Sequence, residues 1–388
     1  MAGALVSFIV FQEPAELGSR LIQPPLPSQY ARMTEQEMSQ RIAAHKKALG
    51  RRLVILAHHY QRDSIVQFAD FVGDSLKLSQ QAAQQKEAEF VVFCGVHFMA
   101  ESADILTEPS VQVILPNLSA GCSMAEMATE DQIDLLWDRL TDATDAKIVP
   151  ITYVNSTAEI KAFCGRHGGA CCTSSNARQV LEYALSQGEG DKAKVLFMPD
   201  QHLGRNTAYA MGFPLDSMLL YDWHQHPDVL SDQQIRDAKF ILWQGHCCVH
   251  QVFTVEQCNQ LRQADPAIKI IVHPECDWKI VQCADMAGST EQIIKVINEA
   301  PDGSHWAVGT EPTLVNRLIK RHAGKKKIRL LSDAPSWCVT MARIDLPHLT
   351  WVLDELATGR VVNRVAVDAA MRDQAVVALQ RMLACPGI

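Results

Sequence analysis

Apolar residues in this chain fall into two rhythms that alternate along most of its length. Short continuous runs end abruptly in polar residues, as in LVILAHHYQ (53–61), FVVFCGV (90–96) and KIVPITYVNST (147–157). A run of that kind is what a parallel strand buried on both faces looks like. Between the runs, apolar residues recur at helical spacing. Met38, Ile42, Ala43 and Leu49 predict a helix over 35–49, and shorter helices are expected over 65–71 and after Ser75.

The alternation repeats. After the first strands comes VQVILPNLSAGCSMA, closing a first unit at Cys122. A second pass gives the 147–157 strand, a helix entered through CTSSNARQVLEYA (172–184), a strand over KVLFMPDQHLG (194–204), and FILWQGHC (240–247). A third gives KIIVHPEC (269–276), GSTEQIIKVI (288–297), HWAVGTEP (305–312) and IRLLSDAPSWC (328–338). Strands alternating with helices imply parallel sheets sandwiched by helices, and three similar passes imply an internal triplication. The expected division is an N-terminal extension and helix over 1–44, then repeats over 45–125, 126–250 and 251–388. The last repeat carries a helix near 349–356, a short strand and a final helix near 369–383. The middle repeat is lengthened by Asn206–Asp237, rich in Tyr, Trp and His, to which the pattern gives no meaning. Residues 1–33, with Pro24, Pro25 and Pro27, read as irregular.

Each unit puts chemistry at its strand ends, where open α/β sheets bind ligands. The first strand of each ends in polar residues two apart: His58 and Tyr60, Tyr153 and Asn155, His273 and Glu275. Spacing of two puts both members of a pair on one side of a strand. Further along each unit a hydroxyl stands at a helix start: Ser75, Ser174, and Ser289 with Thr290. Helix N-termini favour anions, although such hydroxyls are also ordinary N-caps, and Ser289 with Gln292 fits a capping box. The last strand of each unit delivers a cysteine: Cys122, Cys247 with its neighbour Cys248, and Cys338. Three thiols at three similar strand mouths point to one shared metal site, whereas Cys94, Cys164, Cys171, Cys258, Cys276, Cys283 and Cys385 read as small buried hydrophobes.

Composition narrows the class. With 388 residues, 47% hydrophobic and 21% charged, the chain is an ordinary globular one long enough for several domains. A formal charge of −8 gives no footprint for nucleic acid, and Lys325–Lys327 reads as a solvated helix end. The apolar patch Ala4–Phe11 lacks a basic flank and is too short to span a bilayer, so a reducing cytoplasm is expected and the 12 cysteines are thiols or ligands.

The motifs AHHYQ, GDSLKLS, HFMAES, YVNST, TSSNA, PDQHLGR, WQGHCCVH, VHPEC, GSTEQ and CVTM, in this order, resemble those of quinolinate synthases, the iron–sulfur enzymes of bacterial NAD biosynthesis. The resemblance covers roughly residues 53–341 and implies three αβα-sandwich domains related by pseudo-threefold symmetry. It also implies one [4Fe–4S] cluster held by Cys122, Cys247 and Cys338. Its substrates are iminoaspartate, supplied by an L-aspartate-oxidising enzyme, and dihydroxyacetone phosphate. The substrate residues it implies are His58, Ser75, Tyr153, Asn155, Ser174, His273, Glu275 and Thr290. Glu275, His58, Tyr60, Tyr153 and His273 are the candidates for proton transfer, and Glu275 is expected to have a raised pKa. A zinc hydrolase built on His246, His250 and cysteine, and a non-enzymatic iron–sulfur sensor, are the alternatives. The first lacks an H-E-x-x-H motif, and the second would not need three polar strand-end pairs.

Overall fold

The computed structural model describes residues 23–188 and 193–385; the patch Ala4–Phe11 and most of the extension expected over 1–33 lie outside them. The helix Glu35–Leu49 opens with a reciprocal cap. Thr34 Oγ1 accepts the Glu37 N–H at 3.2 Å, and Glu37 Oε2 accepts the Thr34 N–H at 2.8 Å. That pairing satisfies backbone donors the helix cannot use itself.

Three sheets follow. The first unit supplies β1 (Leu53–His58), β2 (Phe71–Gly73), β3 (Phe90–Cys94) and β4 (Gln112–Ile114). The second supplies β5 (Ile148–Tyr153), β6 (Ala170–Cys172), β7 (Lys194–Met198), β8 (Met218–Tyr221) and β9 (Phe240–Trp243). The third supplies β10 (Lys269–Val272), β11 (Met286–Ala287), β12 (His305–Gly309) and β13 (Lys327–Leu330). Spatial orders are β2-β1-β3-β4, β6-β5-β7-β9-β8 and β11-β10-β12-β13, with every pairing within these sets parallel. The chain is therefore α/β, and its three units share one strand order. β1 and β5 are buried along their whole length, as their continuous apolar runs require.

Two expected elements end early for local reasons. The helix expected over 65–71 is only Asp63–Val66, because Asp70 ties the chain to β1: its carboxylate accepts the Ile55 N–H and its own N–H donates to Ile55 O, each at 2.8 Å. Phe71 then starts the edge strand β2. The strand expected over 194–204 stops at Met198, since Pro199 has no N–H to pair, and Asp200 caps a helix over Gln201–Ala210. The Asn206–Asp237 insertion completes that helix and adds β8 outside β9, widening the second sheet by one strand.

The C-terminal segment travels. The short β14 (Arg364–Val365) joins the first sheet antiparallel to β4, and the helix Leu346–Ala357 packs on Glu35–Leu49, where Asp354 takes Tyr30, Arg41 and His45 at 2.8, 2.9 and 2.6 Å. The last helix, Ala369–Ala384, lies on Ala158–Arg166 of the second unit. Gly165 makes that approach possible, because a Cβ there would fall 2.0 Å from Gln374 O. One hydrophobic core runs through the first two units and these helices. The third unit has its own clusters on the two faces of its sheet, with Ile270 and Val272 in one and Ile271 in the other, as strand alternation dictates.

Candidate active site

The carboxyl ends of all three sheets open into one cavity of about 660 Å³. His58, Tyr60, Ser75, Tyr153, Asn155, Ser174, His273, Glu275, Thr290, Cys122, Cys247 and Cys338 all line it, whereas the other candidates Cys248, Ser289 and His246 do not. Apolar walls come from Val96, Phe98, Met99, Met124, Val249 and Met341. Tyr60 and Cys338 also border an outer hollow of about 1060 Å³, and so form part of the partition between the cavity and the surface.

The strand-end pairs do not work as strand alternation suggested. His58 ends β1, but Tyr60 lies beyond the strand; His273 and Glu275 both follow β10. What relates two of the pairs is a turn. The Tyr60 N–H donates to His58 Nδ1 at 3.1 Å, and the Glu275 N–H donates to His273 Nδ1 at 3.3 Å. A ring nitrogen that accepts cannot carry the proton, so both imidazoles are held as Nε2–H donors. Burial first, then neighbouring histidines, pushes each ring down to about 3, which keeps both neutral at working pH.

That depression has a pH consequence. Between about pH 6.5 and 3 the unfolded chain takes up protons that the folded protein does not, so each histidine stabilises the fold fully above that window and progressively less as pH falls through it. The expected slope is about 1.4 kcal/mol per pH unit for each ring. Unfolding midpoints of the metal-free protein between pH 6.5 and 5 should fall less steeply in His58→Asn. An unchanged slope in that variant would show that the ring titrates freely.

The hydroxyls are not caps. In the first unit Asp74 caps the helix Ser75–Ala83 by accepting the Lys77 N–H at 2.9 Å. In the third, Ser289 caps Thr290–Glu299, so of the two candidates there it is Thr290 that faces the cavity. The hydroxyls of Ser75, Ser174 and Thr290 make no hydrogen bond among the described residues, and neither does the buried Asn155 Oδ1. Free hydroxyl donors suit an anionic ligand, while the unpartnered Asn155 Oδ1, an acceptor, calls for a donor on that ligand.

Glu275 is the electrostatic centre. Burial alone would push its carboxyl up, but His250 and the Tyr153 hydroxyl, with only a small share from the neutral His273 ring, outweigh this and hold it well below the usual carboxylate range, opposite to the raised value the sequence suggested. Because His273 Nδ1 already accepts the Glu275 N–H, we assign the larger share to His250, whose Nδ1 lies 2.7 Å from Glu275 Oε2 against 3.4 Å for His273. His250 stacks on His273, with ring centroids 4.7 Å apart, and its Nε2 lies 3.2 Å from Thr310 Oγ1, which in turn lies 2.7 Å from the Tyr60 hydroxyl. A run of buried polar groups thus extends from Tyr153 through Glu275, His250 and Thr310 to Tyr60, in which His250 Nδ1 and Glu275 Oε2 are close but not aligned as a hydrogen bond. Burial raises both tyrosines well above their ordinary value, so they remain proton donors. Asn206 holds the Glu275 loop from outside, donating to Pro274 O and Cys276 O at 2.8 Å each. Thr310 and Asn206 carry no signal in the sequence pattern, and His250 was visible only as a possible zinc ligand.

The cysteines share one local design. Cys122, Cys247 and Cys338 each stand three residues before the start of a 3₁₀ turn: Ala125–Met127, His250–Val252 and Met341–Arg343. The turn brings backbone N–H groups to the sulfur, from Ala125 and Met124, from Val249 and from Met341 respectively. Burial raises all three thiols, Cys122 to about 12, and each is raised further by a neighbouring ionised group. Cys122 is raised by Cys338, and Cys247 by both. Neutral thiols need no such N–H donors, whereas thiolates bound to a cation do, so the set fits a thiophilic metal centre. Cys248 is exposed. Gly245 allows the turn into Cys247, since a Cβ there would fall 2.3 Å from Pro199 O. Cys247, His250 and Glu275 also bring their ligand atoms within 4.8 Å of one another.

Three α/β units of one strand order that pool their strand ends around a cavity, with three thiols and a run of buried polar groups, have the layout of an enzyme built around one centre. Comparison with known proteins specifies which. A family model described as "Quinolinate synthetase A protein" matches residues 40–384. The chain is 54% identical over 353 residues to the quinolinate synthase of Nocardioides sp., covering 90% of this chain and 89% of that one. It is 52% identical over 359 residues to that of Geobacillus thermodenitrificans, covering 92% and 96%. It is 50% identical over 363 residues to that of Bacillus anthracis, covering 93% and 97%. The chain belongs to the quinolinate synthase family, enzymes of NAD biosynthesis. Among the described residues no helix is long and apolar enough to cross a membrane.

Proposed function

We propose that this enzyme condenses iminoaspartate with dihydroxyacetone phosphate to give quinolinate, phosphate and two waters. One observation carries the reading: each unit contributes a cavity hydroxyl at or just before a helix start and a half-buried thiol, around a shared carboxylate. Both substrates are anionic, and the hydroxyls of Ser75, Ser174 and Thr290 are the free donors for their carboxylates and phosphate, while Asn155 Oδ1 can accept from a substrate hydroxyl or imine N–H. His58 and His273 add neutral Nε2–H donors, which can orient a carbonyl or carboxylate without bringing a titrating charge.

Cys122, Cys247 and Cys338 are the ligands we assign to a [4Fe–4S] cluster. Held by three cysteines instead of the usual four, such a cluster has one iron free to supply Lewis acidity to a bound substrate. The remaining chemistry falls to the chain. Condensation and dehydration need protons removed from carbon and delivered to departing oxygens. Glu275 enters the reaction ionised and so acts first as acceptor, while Tyr153 and Tyr60, kept protonated, are the donors at the two ends of the polar chain. His250 and Thr310 link them. The apolar walls exclude water from the intermediates. The reading assigns the enzyme to the cytoplasm, supplied with unstable iminoaspartate by an L-aspartate-oxidising enzyme.

Anaerobic purification followed by iron and acid-labile sulfide analysis tests the centre, and quinolinate formation from the two substrates tests the reaction. About four iron and four sulfide per chain, with quinolinate produced, is the expected result. Stoichiometric zinc without sulfide, or a loaded protein that makes no quinolinate, would overturn it.

A further inference from the structure

Nothing in the covalent chain fixes the distance between the three cavity hydroxyls, which come from three different units: Ser75 and Thr290 open their helices, and Ser174 lies in the turn before the helix Ala177–Ser186. A buried junction does. Asp74 accepts the Lys77 N–H through Oδ1 at 2.9 Å and the Ser175 hydroxyl through Oδ2 at 2.5 Å. Ser289 Oγ lies 2.8 Å from Ser175 Oγ and also accepts the Gln292 N–H at 3.4 Å. Ser175 has a single hydroxyl proton, and the carboxylate takes it. The Ser289 hydroxyl is therefore the donor at the second contact, and the protons run one way, from Ser289 through Ser175 to Asp74. Their exposures are 6%, 8% and 0% for Asp74, Ser175 and Ser289, so the junction is buried.

One residue comes from each unit, and each is the sequence neighbour of a cavity hydroxyl: Asp74 of Ser75, Ser175 of Ser174, Ser289 of Thr290. Two of the three are the N-caps of their helices. The junction therefore ties the three helix starts together one residue away from the groups that face the ligand. A carboxylate also suits this position electrostatically, since helix N-termini carry partial positive charge.

We propose that Asp74, Ser175 and Ser289 form a positioning clasp that sets the spacing of the Ser75, Ser174 and Thr290 hydroxyls, and with it the fit for a dicarboxylate. The proposal rests on the reading of those hydroxyls as the anion-binding groups. Opening the clasp lets the third unit, which has its own hydrophobic clusters, shift against the other two. A displacement of about an ångström is enough to spoil a hydrogen bond that depends on distance and angle. Asp74 reaches the cavity wall itself, so the two serines are the cleaner probes.

The test uses cluster-loaded protein and quinolinate as the probe. Quinolinate affinity by calorimetry, KM and kcat for dihydroxyacetone phosphate, iron content and thermal midpoint are compared for Ser175→Ala, Ser289→Ala, the double variant, Ser175→Thr and Ser174→Ala. Ser175→Ala and Ser289→Ala should each weaken quinolinate binding about 10-fold and raise KM more than they lower kcat, with iron unchanged. The double variant should bind no more weakly than the worse single one, because either change opens the same clasp. Ser175→Thr, which keeps the hydroxyl, should recover affinity to within about 3-fold of the parent. Normal affinity with a lowered thermal midpoint, or loss of fold in both alanine variants, overturns the positioning role in favour of a structural one. Unchanged affinity in Ser174→Ala overturns the anion-site reading itself. Lost affinity in Ser174→Ala with none lost in Ser175→Ala overturns the clasp alone.

Discussion

Replacing Cys122, Cys247 or Cys338 singly by Ser is expected to remove the metal centre and all turnover, while Cys248→Ser keeps both. A serine hydroxyl does not ionise at working pH and is a hard ligand where iron–sulfur chemistry needs a soft one. The local design makes each loss complete. Each sulfur sits before a 3₁₀ turn that aims N–H groups at it, and a thiolate supported in that way is not replaced by a neighbour. Cys248 is the informative control because it adjoins Cys247 yet is exposed. Anaerobic visible absorbance with iron and sulfide content, alongside circular dichroism to show the fold intact, reads the result. Retention in Cys247→Ser with loss in Cys248→Ser would show that the wrong neighbour was assigned. The set also separates two centres: one built on Cys247, His250 and Glu275 would survive Cys122→Ser and Cys338→Ser.

The strands that could be read from the sequence were those long enough to make an apolar run. β1 and β5 announce themselves because all six residues of each are buried. β2, β6 and β11 do not, because they are edge strands of two or three residues, and β2 and β11 are partly or wholly exposed. These missed strands matter, since each lies immediately before the turn that carries a cavity hydroxyl. The triplication was legible from the cysteines and strand ends, yet the shared strand order that makes the units equivalent needed the edge strands to be seen.

The site divides along a similar line. Residues that act at strand ends or helix starts recur by unit, and recurrence is a sequence signal. Residues that act across units leave none. His250 and Thr310 join Glu275 to Tyr60 over separations of 25, 60 and 250 residues. No spacing rule connects such positions. The Ser174 and Ser175 pair shows the finest limit: the sequence singled out Ser174, which faces the cavity, but gave no sign that its identical neighbour sits in the buried junction.

Glu275→Gln is expected to keep the fold, the metal centre and quinolinate affinity while lowering turnover about 100-fold or more. The amide preserves shape and can still pair with His250 and Tyr153, but it cannot accept a proton. In the parent the carboxyl is held ionised within a cavity whose walls are largely apolar, so a base is ready when substrate arrives. An anionic substrate entering beside it then favours protonation, and the low starting pKa ensures that the proton is taken during reaction and not before it. This has a consequence for the pH profile. The acid limb of kcat/KM reports groups of the free enzyme, so the limb belonging to Glu275 should lie below its ordinary value of 4.5, not near neutrality. The alternative, a carboxylic acid kept protonated by burial, predicts a limb near neutral pH that disappears in Glu275→Gln. Near-normal turnover in the variant would remove Glu275 from proton transfer altogether and pass the role to the tyrosines at the ends of the chain it joins.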